Sequence, residues 1–158
     1  EIAEESGEVL RGIVHLWSLS SETDDDRSDE QLSEAQKFGS ESALYLVQAL
    51  AAPGKMNLPR LWLVTDRSQT VQSDDQPNPV CAPLWGLGKV IVLDHPDLSC
   101  VRVDVNLHKA DGLWPAFSAE LAESGAEDQV ALRAGRRFVA RLAALNDDWN
   151  AADRTQPK

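Results

Sequence analysis

The sequence predicts an α/β fold built on a mainly parallel sheet flanked by helices and closed by a C-terminal strand pair. Two nearly continuous apolar runs, Gly12 to Leu19 (GIVHLWSL) and Arg60 to Thr65 (RLWLVT), have the composition of strands covered on both faces. Between them, Leu32, Ala35, Gly39, Ala43, Leu46 and Leu50 recur at helical spacing. Strand and helix patterns then alternate until a last pair of strand-like segments, which is the order of a layered α/β domain.

Each element follows from local chemistry. The first strand is Gly12 to Leu19. The helix spans Ser28 to Ala52, opened by Ser28 and Gln31 in capping-box spacing and closed by Pro53-Gly54. With Arg60 to Thr65 it forms a strand, helix, strand unit whose crossover is expected to be right-handed. Asp66 to Val80 is rich in Asp, Gln, Ser and Pro without apolar periodicity, a long connection of the kind that is functional, disordered or a site of insertion. A helix starts at about Ala82, with Pro83 tolerated in its first turn and Leu84, Leu87, Gly88, Ile91 and Val92 facing the core. Pro96 forces His95 out of the helical region, so this helix stops at about Asp94. Val101, Val103 and Val105 alternate with Arg102 and Asp104, giving a strand with one less buried face. A helix over about Trp114 to Glu123 comes next, with Gly125 past its end. Gln129 to Ala134 and Arg136 to Leu142 flank Gly135 as a hairpin. After Leu145 the residues are mostly polar, a frayed tail or linker, so the domain is expected over 1–145 with a tail at 146–158.

Composition narrows the function classes. The 158 residues suit one self-sufficient core, and the absence of an initiator Met suggests a piece of a longer polypeptide. A formal charge of −11, from 15 basic and 26 acidic side chains, argues against nucleic acid or anionic membrane as partner. Cys81 and Cys100 suit reduced cytoplasmic thiols better than a disulfide framework. Neither a membrane span nor a secretory leader is recognisable.

Candidate sites are mostly rejected on residue type and spacing. Gly86 and Gly88 form a Gly-x-Gly, but Lys89, Val90 and Ile91 stand where a dinucleotide loop needs a third glycine, and the pair lies in a helical pattern rather than after a strand. These glycines are expected to let the helix beneath Trp85 pack closely on the sheet. His15 reads as a buried strand imidazole, His95 as a helix-stop residue and His108 as an exposed neighbour of a turn. His95 to Asp97 spell HPD, as in the loop of J-domain co-chaperones, but those domains are all-helical. Glu22 to Asp26 lacks the spaced oxygens, central Gly and terminal Glu of a calcium loop. Tyr45 has Ala49 where a Tyr-x-x-x-Lys proton donor needs lysine. Asp66 and Arg67 end a predicted strand, where α/β sites form, yet a plain turn is the favoured account of them. Trp17, Trp62 and Trp85 are expected in the core. No catalytic, cofactor-binding or metal-ligating residue is assigned.

Four segments together resemble a known family. VHLWSL at Val14 to Leu19, RLWLVT at Arg60 to Thr65, PLWGLGKVIVLDHPDL at Pro83 to Leu98 and EDQVALRAGRRFVARL at Glu127 to Leu142 are similar, in kind and order, to the structural subdomain of a ketoreductase in a modular type I polyketide synthase. Lys89 and Asp94 stand where the family usually has Arg and Glu, keeping charge. The resemblance implies a truncated Rossmann-like half that binds no cofactor. It braces a second half, which carries the NADPH loop and a Lys-Ser-Tyr set and reduces β-ketoacyl chains held on acyl carrier protein. Partners implied are that catalytic subdomain and neighbouring synthase domains, in the cytoplasm. Two other readings stay open: an architectural pseudo-ketoreductase or docking module, and an independent enzyme with a site near Asp66.

Overall fold

The computed structural model describes residues 10–20, 28–53, 57–123 and 125–142. The acidic run Glu22 to Asp26, Gly54 and the expected boundary at 145 lie outside them. Among the described residues five strands form one sheet in the order β1-β2-β3-β4-β5: β1 (Gly12–His15), β2 (Arg60–Asp66), β3 (Val101–Val105), β4 (Gln129–Arg133) and β5 (Arg136–Val139). The first four are parallel and β5 returns antiparallel to β4. The fold class is therefore as the sequence predicts.

Helix α1 (Asp29–Gln36) opens with the predicted capping box, in which the Ser28 hydroxyl accepts from the Gln31 N–H and the Gln31 side chain accepts from the Ser28 N–H. The single long helix expected here is divided in two. A π-type turn, Lys37–Glu41, separates α1 from α2 (Ser42–Leu50). The Ser42 hydroxyl sits against the Phe38 and Gly39 carbonyls, offering the backbone an alternative to its regular ladder. Helix α3 (Ala82–Asp94) stops where Pro96 requires, and α4 (Leu113–Ala122) precedes the hairpin. In the turn of that hairpin Ala134 and Gly135 both have positive φ, 46° and 71°, the conformation a two-residue hairpin favours.

The first strand is shorter than its apolar run. After His15 the chain turns into a 3-10 segment, Trp17–Ser20; among the described residues β1 pairs with β2 alone, and its residues 12–14 are only half-buried. The Ser18 hydroxyl donates to the Val64 carbonyl at 2.5 Å, pulling the turn across β2. Trp17 is 62% exposed, against the expectation of a core position, whereas Trp62 is buried as expected and Trp85 is half-buried.

Two cores lie on opposite faces of the sheet. On one, Leu61 and Leu63 of β2 meet Ala43 and Val47 of α2 and Leu84 and Ile91 of α3. On the other, Trp62, Val64, Val101, Val103, Val105, Val130 and Leu132 meet Leu113 and Phe117 of α4. The strand order advances in one direction throughout. Hence the third crossover, through α4 on the second face, has the opposite hand to the two through α2 and α3. One expectation fails here: β3 has no less buried face, because α3 and the 66–80 loop cover Arg102 and Asp104, which are 1% and 0% exposed.

Candidate functional site

Open α/β sheets bind ligands at the carboxyl ends of their strands, which here are the ends of β2, β3 and β4. That end is occupied by the chain itself. Asp66 closes β2, Asp104 and Asn106 stand at the end of β3, Arg133 closes β4, and the loop over residues 67–78 lies across them.

Arg133 is the centre. Its Nε donates to Asp75 Oδ2 at 3.0 Å, its Nη1 to the carbonyls of Asp104 and Leu132, and its Nη2 to the Gln69 carbonyl and to Asp104 Oδ2 at 2.6 Å. Every N–H of the guanidinium is thereby used. Asp104 in turn takes the Thr65 hydroxyl at 2.7 Å, the Ser68 N–H at 2.7 Å, the Ser68 hydroxyl at 2.8 Å and the Gln69 N–H at 3.3 Å. Asp75 Oδ2 accepts from the N–H groups of Val71 and Gln72 as well as from Arg133. Burial pushes the Asp75 carboxyl up, but those two N–H groups and Arg133 outweigh it and hold its pKa below the ordinary value.

Asp66 and Arg67, the one predicted pair at a strand end, do meet. Arg67 Nε lies 3.1 Å from Asp66 Oδ2, Asp66 Oδ1 accepts from the Leu107 N–H, and the Arg67 N–H donates to the Val105 carbonyl. Arg67 has φ of 52°, which swings the loop back so that its carbonyl accepts from the Asn78 N–H at 2.6 Å. Both residues are taken up in tying the loop to β3. A carboxylate saturated with donors, as Asp104 is, holds structure; it does not offer a lone pair to a substrate proton.

The other candidates are dispersed. His15 Nε2 bonds the Ser42 hydroxyl at 2.7 Å across the edge of the first core. His108 is exposed as expected, His95 caps α3, and Tyr45 is exposed on α2. Cys81 and Cys100 are buried thiols, and burial above all pushes the Cys100 thiol up to about 12. Among the described residues no cluster of His, Cys, Asp or Glu is suited to hold a metal ion, and no helix is long and apolar enough to cross a membrane.

His15 gives a pH prediction. Burial lowers its pKa, partly opposed by a backbone hydrogen bond, so in the folded state the imidazole stays neutral below the unfolded value of about 6.5. The native chain then binds fewer protons than the unfolded one, and stability should fall as pH drops below about 6.5. Urea denaturation at about pH 7.5 and about pH 5.5 should show this loss in the parent chain and a smaller one in His15→Gln. An equal loss in both would assign the dependence elsewhere.

A separate open groove of about 300 Å³ lies between the loop and the hairpin, lined by Gln69, Val71, Trp85, Gln129, Ala131 and Phe138 among others. None of its lining residues is ionisable. Beside Trp85, Arg102 explains one glycine of the Gly-x-Gly. A Cβ on Gly88 would stand 2.6 Å from Cγ and Cδ of Arg102, whose guanidinium lies 5.5 Å from the centre of the Trp85 ring. Gly88 thus permits the close helix-sheet packing expected of it. Gly86 does not share that role, because a Cβ there would meet nothing within 4 Å.

Sequence reasoning missed Asp104, Arg133, Asp75 and Arg102. The available signal was charge placed inside otherwise apolar strands, VRVDV and QVALR, next to a long loop rich in backbone donors.

Residues 3–142, which take in the whole sheet and the loop across its strand ends, match the family described as "Polyketide synthase extender module SpnB, Rossmann fold domain". The chain belongs to this family. It is a Rossmann-like, ketoreductase-related region of the modular polyketide synthase type. Among its relatives, Erythronolide synthase EryA3 of Saccharopolyspora erythraea is 39% identical over 119 residues, covering 72% of this chain and 4% of that one. A solved C2-type ketoreductase from a modular polyketide synthase superposes with a TM-score of 0.65 at 26% identity, over 96% of this chain and 33% of that chain. A-type ketoreductases from a modular polyketide synthase give 0.63 at 30% identity, over 93% and 30%. The SpnB-type Rossmann region seen here therefore spans about a third of those ketoreductases and only 2–7% of the polyketide synthases it matches.

Proposed function

We propose that this region is the structural, non-catalytic half of a ketoreductase in a multifunctional polyketide synthase. It supports a separate half that would bind NADPH and reduce β-ketoacyl chains carried on acyl carrier protein. The observation that carries the reading is the occupied strand end: the crevice where a Rossmann sheet takes its dinucleotide is filled by the 67–78 loop, held by Arg133, Asp104 and Asp75. These residues do not fit a dinucleotide, since the pyrophosphate would need backbone N–H groups that here bind carboxylates of the same chain. The match to about a third of solved ketoreductases supports the division into halves. Partners are accordingly the catalytic half and neighbouring synthase domains.

Titrating NADPH into this chain, followed by nicotinamide fluorescence or calorimetry, is expected to give no saturable binding. A dissociation constant in the micromolar range would overturn the reading.

A further inference from the structure

The first face of the sheet is covered unevenly. Helices α2 and α3 lie over β2 and its neighbours, but among the described residues no helix lies on this face of β4 and β5. Gln129 and Ala131 stand opposite Arg102 and Asp104, and Phe138 stands opposite Ala131, so all three share that face. With Gln69, Trp85 and Ala140 they line the open groove of about 300 Å³. A layered α/β sheet covers both faces, and here a groove stands beside α3 where the next helix of the layer would lie.

We propose that residues 145–152 of this chain fill the groove as a short helix packed beside α3. Position, sequence and charge each point to that occupant. The strand β5 leads into Ala140, a lining residue, and the described residues reach the fully exposed Leu142 two positions later. Residues 141–144 then give four positions for the chain to turn back, a usual length for a strand-to-helix connection. Leu145, Trp149 and Ala152 recur at i, i+4 and i+7, which puts a leucine and a tryptophan on one helical face of an otherwise polar segment. Eight helical residues rise about 12 Å, and a strand the length of β4 extends about 16 Å, so the segment fits along the strand pair. Asp147 and Asp148 fall in the first turn of that helix, where carboxylates are favoured. None of the lining residues is ionisable, but Lys89 stands one turn on from Trp85, and the Arg136 guanidinium lies 5.3 Å from the centre of the Phe138 ring. Neither cation has a carboxylate partner among the described residues. So short a helix is marginal by itself, and burial of Leu145 and Trp149 is what forms it. A second copy in the groove would instead bring another formal charge of −11 against the first.

The test is maleimide labelling of Gln129→Cys, for which the buried Cys81 and Cys100 provide a silent background. In the full chain Gln129→Cys should react at least tenfold more slowly than in the same chain carrying Leu145→Asp and Trp149→Asp, and truncation after Leu142 should give the fast rate too. Gln48→Cys, exposed on α2, should label equally fast in all three. Equal rates at Gln129→Cys with and without the two aspartates, at unchanged circular dichroism, would overturn the proposal. Where the aspartates or the truncation unfold the chain, Trp149→Ala decides: a rate no faster than the parent's overturns the proposal, and a rise of threefold or more supports it. Slow labelling that survives the aspartates and is lost on dilution, with a doubled mass at high concentration, would identify a second copy as the occupant and overturn the proposal.

Discussion

Asp104→Ala is expected to lower the unfolding free energy by about 3–5 kcal/mol, the cost of breaking a buried ion pair from one side. The carboxylate is fully buried, and its removal strips Arg133 of one partner while leaving the N–H groups of Ser68 and Gln69 without their acceptor. Against a typical total of about 5–15 kcal/mol, such a loss leaves a marginal fold. Urea unfolding measures it directly. Hydrogen exchange adds the location: protection should disappear first at Ser68, Gln69, Val71 and Gln72, whose N–H groups bind Asp104 and Asp75, before the β2 and β3 ladder opens. Arg133→Met should cost a comparable amount, because it leaves two buried carboxylates without their shared cation. The double variant should cost less than the sum, since the two residues act as one unit. A loss below about 1 kcal/mol for Asp104→Ala would mean that the network does not hold the loop, and the occupied crevice would lose its explanation.

Gly86 and Gly88 should respond to alanine with opposite signs. At Gly88 the gain in helix propensity is about 1 kcal/mol, but the new methyl overlaps Arg102 at 2.6 Å, and overpacking of a core costs about 1–3 kcal/mol. Arg102 cannot step aside, being 1% exposed, stacked beneath Trp85 and paired with Asp128. With Arg102 fixed, the cost falls in the upper half of that range, about 2–3 kcal/mol, so the net expectation is a loss of about 1–2 kcal/mol for Gly88→Ala, and about 3 kcal/mol or more for Gly88→Leu. Gly86→Ala meets no atom and should gain about 0.5–1 kcal/mol. Thermal unfolding of the two alanine variants decides the matter. Changes of the same sign would show that the close packing at Gly88 is not what sets its identity.

Much of this fold was legible because its signals are local. Ser28 and Gln31 form their capping box within one helical turn, Pro96 ends α3 through its own ring, and Ala134-Gly135 turns the hairpin by backbone conformation alone. Each depends on neighbours a few residues away, and each stands where the sequence puts it. The β1 strand and the long first helix were overdrawn for the complementary reason. Apolar content continues past His15, but among the described residues β1 has β2 as its one partner, and hydroxyl groups at Ser18 and Ser42 bond backbone carbonyls instead.

The candidate site was less legible. Asp66 and Arg67 stood out as a pair at a strand end, whereas Asp104 read with Arg102 as the less buried alternate of VRVDV, and Arg133 at the end of QVALR drew no reading of its own. What makes them internal is a loop and a helix that arrive from elsewhere in the chain, with Asp75 reaching Arg133 across 58 positions. From sequence alone came the α/β class, the element order, the missing third glycine at WGLGK and the family. Only the tertiary structure decided which face of β3 was covered, which glycine was packed and what filled the strand ends. Periodicity and capping act through backbone neighbours and are written in short windows. The burial of a charge depends on what long-range packing brings over it, and that is settled only when the chain has closed.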